Sequence, residues 1–481
     1  MVSISMDSIS AGRLATLLGE LAGEHPPLYA ALAARIRLLI ADGRLAVGIR
    51  LPAERELAIA LQLSRATVTA AYRRLRDDGW ASARQGAGTW TSLPAGPANG
   101  AWVPAPPLAG VLDFAHAAPA GPPEIAMAFT AALGDLPRLL SGHGYHPAGL
   151  PELRARIAHR YTNRGLPTTA DQVLVTAGAL HGITVALEVL VGPGDRVVVE
   201  HPSYPNALDA IRATGARAVP VALDAADAGA LVADVPRVAR QTSARLAYLM
   251  PDFQNPTGLL LDGDQRGRLA AGLHRSGTVA LVDETFVDLG LDTLPDAPYA
   301  AFARADRVVT VGALSKTFWG GLRIGWLRAD ASLVQRLGAA AMRAHLSGPV
   351  LEQLAACHLL DATEGMLPAL RHRLRAQRDA LVAALATALP RWEVPVPPGG
   401  LVLWCGLLAP VSNALVDAAE RRGLRLAAGP RFGTGHAFAD RLRLPYIQPI
   451  DVLRRAVGIL TQVADTLSHA DPGSATSCLV V

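Results

Sequence analysis

The stretch GALSKTFWGGLRIGW, residues 312–326, holds Lys316, the single lysine in 481 residues. The other 44 of the 45 lysine and arginine side chains are arginine. A composition rich in alanine and arginine explains why surface lysines are missing, but not why this one stays. Arginine cannot replace lysine where a neutral primary amine must form, because the guanidinium does not deprotonate in proteins. The leading chemistry of that kind is a Schiff base to a carbonyl, pyridoxal phosphate included. Lys316 is therefore the candidate catalytic residue, and the rest of the chain must supply its pocket.

The elements around it read as an α/β body. RVVVE (196–200), LAYLM (246–250), VALVDE (279–284) and RVVTVG (307–312) are short, β-branched and almost continuously apolar. Strands buried on both faces of a mostly parallel sheet read this way. Polar residues cluster where such strands end, which is where ligands bind in this architecture.

A composition break at residues 92–110, SLPAGPANGAWVPAPPLAG, has five prolines and no charge and reads as a linker. Ahead of it, PLYAALAARIRLLIADGRL has helical apolar spacing. PAERELAIALQL gives a second helix with Pro52 in its first turn. SRATVTAAYRRLRDDGW opens on Ser64, a good N-cap, and ASARQGAGTWT alternates like a short hairpin. Three helices and a two-stranded wing make a winged helix-turn-helix, whose third helix enters the DNA major groove. Residues 1–92 carry 11 arginines against 8 acids, so most of the net +4 sits there.

These N-terminal motifs, in order from Pro27 to Thr91, resemble the GntR family of bacterial regulators. The resemblance implies DNA contacts from Arg55, Ser64, Arg65, Thr67 and the wing-tip residues Gln85 and Gly86.

The body, 111–470, resembles fold-type I, class I aminotransferases. With the winged helix, the chain is similar to MocR-type GntR regulators. The expected fold is thus α/β, a DNA-binding module at 1–91 followed by a large domain and a smaller C-terminal α+β domain, with residues 471–481 a flexible tail. The resemblance assigns the cofactor site motif by motif. YHPAGLPELR brings Tyr145, which reaches the phosphate of the partner subunit. VTAGALHG opens a helix whose Ala179 and Leu180 amides hold phosphate. EHPSYPN offers Tyr204 to stack on the pyridine ring, and PDFQNPTG offers Asn255 to its ring oxygen. VDETF places Asp283 against the ring nitrogen. SKTFWGGLR gives Lys316 for the Schiff base, with Ser315 and Arg323 for the phosphate. DRLRLPY places Arg443 to fork a substrate carboxylate, with Arg431 in GPRFGTG as second choice.

Each motif alone has a plainer reading: a lone aspartate after a strand is usually a cap, and NPTG is an ordinary turn. Three departures stand against efficient transamination. Against the family pattern, Phe286 replaces a tyrosine, Ala313 replaces a phosphate-binding Ser or Thr, and TAGALHG lacks the polar residue that often follows the SGS of relatives. The resemblance implies a pyridoxal 5'-phosphate-dependent regulator that binds operator DNA and senses an amine, an amino acid or the cofactor itself. It implies a homodimer, with each winged helix lying on the other subunit's body. The alternative is a working aminotransferase with an appended DNA-binding module. Cys357, Cys405 and Cys478 are widely spaced and form no metal or disulfide pattern. The N-terminus lacks a basic-then-apolar signal and no segment reads as a membrane span, so the expected location is cytoplasmic.

Overall fold

The computed structural model describes residues 8–19, 27–41, 45, 49–78, 80–84, 88–92, 110–224, 227–434 and 437–469. The expected wing tip at Gln85 and Gly86, most of the linker and the C-terminal tail lie outside the described residues.

The N-terminal module is built from helices Leu28–Ala41, Glu54–Leu61 and Arg65–Asp77 and the antiparallel hairpin Ala81–Arg84 with Gly88–Thr91. Leu32, Ile36, Leu57, Val68, Tyr72 and Leu75 form its core, with the Tyr72 hydroxyl donating to the Pro52 carbonyl at 3.0 Å. Two details differ from the sequence expectation. The second helix begins at Glu54, so Pro52 precedes it rather than occupying its first turn. A further helix, Ala11–Leu18, capped by the Ser10 hydroxyl, adds Leu14 and Leu18 to the same core.

The body is organised by a seven-stranded sheet. Its spatial order is Val173–Thr176, Gly325–Arg328, Val308–Ala313, Val279–Asp283, Leu246–Leu249, Arg196–His201 and Arg217–Ala222. All run in one direction except Gly325–Arg328, which pairs antiparallel with both Val173–Thr176 and Val308–Ala313. The central strands are buried on both faces, which explains their continuous apolar sequences.

This topology gathers the chemistry. Thr176, Asp283 and Ala313 end parallel strands, and Tyr204 and Asn255 follow the ends of two others. The antiparallel strand starts at that same edge, with Gly325 in register with both Thr176 and Ala313.

Helix Val350–Ala388 leads into the smaller part. There Val402–Gly406, Arg441–Pro445 and Ala427–Ala428 form an antiparallel sheet, backed by helices Ser412–Glu420 and Ile450–His469. Leu112–Asp113, close behind the linker, pairs in parallel with Leu424–Arg425. The N-terminal module meets this part of its own chain through an ion pair between Arg37 and Asp417.

Candidate functional site

Asp283 ends its strand buried, with both oxygens engaged. The Tyr248 hydroxyl donates to Oδ2 at 2.9 Å, and the Thr285 amide donates to Oδ1 at 2.9 Å, joined by the Thr285 hydroxyl. Burial pushes the carboxyl up, against the hydrogen bonds from Thr285 and Tyr248 and the charge of Lys316. A buried carboxylate so held is suited to keep a proton on an opposing ring nitrogen.

Lys316 follows the next strand, in a turn closed by the Phe318 amide donating to the Leu314 carbonyl at 2.9 Å. Its amine donates to the Ala117 carbonyl at 2.8 Å. Burial pushes the ammonium down to about 8, with Arg443 adding to the effect and Asp283 opposing it. Lys316 therefore carries far more neutral amine near physiological pH than an ordinary lysine, as a carbonyl-capturing lysine requires.

A cradle lies one strand away. Gly178 has φ +88°, and a Cβ there would sit 3.1 Å from Arg323 Nη2. A Cβ on Gly325 would lie 2.6 Å from the Gly178 carbonyl carbon. Only glycine lets these backbones and the Arg323 guanidinium come together. Helix Ala179–Leu190 starts there, so the Ala179 and Leu180 amides face outward without intrahelical acceptors. Arg323, itself at φ +54°, donates to the Ala177 carbonyl at 2.5 Å. Amides, helix dipole and guanidinium make an anion site. Ser315 is half-buried on the Lys316 turn.

Tyr204 is half-buried, its hydroxyl pushed up to about 12 by burial and by Asp283. Asn255 is 7% exposed and its buried Oδ1 has no hydrogen-bond partner. Arg443 is equally buried; it donates to the Ala115 carbonyl, its Nε has no partner, and its guanidinium carbon lies 4.9 Å from the Phe432 ring centre. Orphaned buried polar atoms at Asn255 and Arg443 mark places where a polar ligand completes the site.

The sequence-derived set is therefore not assembled uniformly. Lys316, Asp283, Tyr204, Arg323 and Arg443 influence one another electrostatically, as one pocket demands. Arg431 instead lies exposed on the rim, in a cleft of about 670 Å³ with Asp209, Arg212 and Arg217 that includes neither Lys316 nor Arg443. Tyr145 is 55% exposed and stacks on His143. Phe286 packs in the apolar cluster of Phe253 and Leu289.

Sequence patterns missed two supports. Tyr248, which holds Asp283, is the one polar-tipped side chain in LAYLM and could have been noticed. The segment carrying Ala115 and Ala117 could not, because it acts through backbone carbonyls. That segment continues to Gly121, where a Cβ would meet the Trp319 indole at 3.3 Å. It forms a strap over the pocket, anchored at one end by the Leu112–Asp113 pairing.

On the N-terminal module, Ser64 accepts from the Thr67 amide at 3.1 Å, and their hydroxyls lie 2.8 Å apart. Both therefore build the N-cap that aims helix Arg65–Asp77. Arg55 and Arg65 are exposed beside it.

Comparison with known proteins agrees with this division. Residues 138–457 match the family described as aminotransferase class I and II, and residues 28–90 match bacterial regulatory proteins of the gntR family. The HTH-type transcriptional regulator YisV of Bacillus subtilis is 27% identical over 83% of this chain and 88% of its own. The 2-aminoadipate transaminase of Thermus thermophilus is 31% identical over 70% of this chain and 85% of its own. The crystal structure of LysN, the α-aminoadipate aminotransferase of Thermus thermophilus complexed with N-(5'-phosphopyridoxyl)-L-leucine, superposes with TM-score 0.70 at 26% identity. It covers 75% of this chain and 94% of that one.

Proposed function

Because this chain belongs to the aminotransferase class I and II family and carries a gntR-family module ahead of it, we propose that it is a ligand-responsive transcription regulator using pyridoxal 5'-phosphate. The cofactor, when bound, supplies an electrophilic carbonyl carbon and an electron sink. The residues present fit it. Lys316 is the attachment amine, Asp283 holds the proton of the ring nitrogen, Asn255 donates to the ring oxygen and Tyr204 covers the ring. The Ala179 and Leu180 amides, Ser315 and Arg323 hold the phosphate. Arg443 receives the carboxylate of an amine effector, with Arg431 at the rim as an outer contact.

The observation that carries the sensor reading is the strap. Two carbonyls, Ala115 and Ala117, sit on the two groups that would meet ligand, Arg443 and Lys316. Both belong to the segment that begins where the linker from the DNA module ends. An effector carboxylate at Arg443, and attachment at Lys316, compete with both carbonyls. Ligand binding is thereby made unequal between a strap-held state and a released one, as coupling requires. The chain acts in the cytoplasm as a homodimer, the assembly in which the exposed Tyr145 reaches the phosphate of the partner subunit. If the modules are exchanged between subunits, the Arg37–Asp417 pair forms across the dimer.

Arg65→Ala is expected to weaken operator binding by roughly 1–3 kcal/mol if its guanidinium reads a base edge. Cofactor attachment should be untouched. Equal affinity of mutant and wild type across a salt series would make Arg65 a solvated side chain.

Attachment should also depend on pH in a definite sense. Neutral Lys316 is the reacting form, and its ammonium is lowered to about 8. Mixing cofactor-free protein with cofactor should give an attachment rate that rises with pH and levels off above about 8. A flat profile through neutrality would contradict the assignment of the amine's environment.

Turnover tests the whole reading. Phe286 and Ala313 offer no hydroxyl where the family pattern has a tyrosine and a phosphate-binding Ser or Thr. Amino donors with keto-acid acceptors should give slow or absent turnover while the cofactor spectrum still responds to amines. Vigorous turnover would move the protein to the aminotransferase reading.

A further inference from the structure

Thr317 follows Lys316, but where the Lys316 amine reaches the strap, the Thr317 side chain enters the protein floor. Its hydroxyl donates to Asp288 Oδ2 at 2.9 Å. Asp288 Oδ1 accepts from Arg160 Nη2, and the Asp288 backbone carbonyl accepts from Arg371 Nε at 2.9 Å. Thr317 is 4% and Asp288 9% exposed. Burial alone would push the Asp288 carboxyl up; the Arg160 guanidinium and the Thr317 hydroxyl overcome this and hold it below its ordinary value. It is thus a fixed buried anion, tied to helix Pro151–Asn163 by Arg160 and to helix Val350–Ala388 by Arg371.

Asp283 and Asp288 belong to one tight loop. The Val287 amide donates to the Glu284 carbonyl at 3.1 Å, and the Leu289 amide to the Phe286 carbonyl at 2.9 Å. The Glu284 amide donates to the Val311 carbonyl at 2.9 Å, tying this loop to the strand that feeds the lysine turn. One end of the loop therefore presents the carboxylate that faces the cofactor ring. The other end grips the turn that presents the attachment amine.

We propose that Asp288 is a positioning residue which, through Thr317, holds the Lys316 turn in register with Asp283. It touches neither cofactor nor effector. Its charge is satisfied by Arg160, yet its second oxygen is committed to the residue adjoining Lys316. Misplacing the amine relative to the ring-facing carboxylate slows attachment far more than it weakens the fold. This rests on Lys316 being the attachment site.

The test compares Thr317→Val, which removes only the hydroxyl, with Thr317→Ser, which restores it, and with Asp288→Asn. Three quantities are read on the full-length protein: the attachment rate with pyridoxal phosphate, the visible circular dichroism of the bound cofactor, and thermal unfolding of the cofactor-free protein. Thr317→Val should slow attachment by about tenfold, the worth of one lost hydrogen bond, and diminish the dichroic band. Thr317→Ser should return both to near wild type, and Asp288→Asn should follow Thr317→Val. If Thr317→Val keeps the wild-type rate and band while unfolding at lower temperature, the contact is structural only and the proposal is overturned. The wild type, run alongside, separates the underlying premise. A wild-type protein that forms no lysine-linked band overturns the Lys316 reading and this inference with it.

Discussion

Lys316→Arg should abolish the lysine-linked cofactor band while leaving the protein folded. Arginine keeps the positive charge that faces Asp283 and can still donate to the Ala117 carbonyl, so packing and electrostatics are largely preserved. What it cannot do is present a neutral amine, since the guanidinium remains protonated. Attachment requires nitrogen to bond to an aldehyde carbon with loss of water, and no other lysine exists to substitute. Borohydride reduction of the wild type followed by peptide mapping should find one modified lysine, in LSKTFWGGLR. A mutant that retains the band would show that another nitrogen carries the cofactor.

Arg443→Ala should leave that band intact and blunt the response to amines that carry a carboxylate. Arg443 is buried, sits over Phe432 and has an Nε without a hydrogen-bond partner. Burial and the nearby Arg431 push its guanidinium down to about 10, so it is still charged at neutral pH. Truncating one member of a buried charge-assisted pair costs about 2–5 kcal/mol. The spectral titration with an amino acid should therefore shift to much higher concentration, whereas a simple amine without a carboxylate should titrate as in the wild type. Arg431→Ala, at the exposed rim, should shift the same titration far less. Should amino acids titrate normally in Arg443→Ala, the carboxylate clamp lies elsewhere or the effector carries none.

Residues at the ends of buried strands were legible in the sequence, because a continuous apolar run followed by a polar motif fixes both the strand and the edge where its side chains emerge. Asp283 and Lys316 are of this kind, whereas the glycine contacts of Gly178 and Gly325 that let Arg323 approach were seen only in the structure. The three helices and hairpin of the DNA module were equally legible from periodicity and from Ser64. Helix Ala11–Leu18 was not, since eight residues give barely two turns of pattern. The second helix was started two residues too early, because proline suits both a helix's first turn and the segment just ahead of it. The strap escaped altogether: its contacts to Lys316 and Arg443 come from the carbonyls of two alanines, which leave no trace in side-chain type. The Asp288–Thr317 contact is also invisible, since it depends on how a loop folds back under the neighbouring strand.

The most direct test of coupling between cofactor site and DNA is operator affinity at one fixed salt concentration. Wild-type protein and Lys316→Arg are each titrated with operator DNA, first with pyridoxal phosphate alone and then with added amino acids. If the strap links the site to the linker, the wild-type affinity shifts with cofactor or amino acid and the Lys316→Arg affinity does not. Affinity in the wild type that is the same in every ligand state, or that shifts equally in Lys316→Arg, would contradict a sensor working through Lys316.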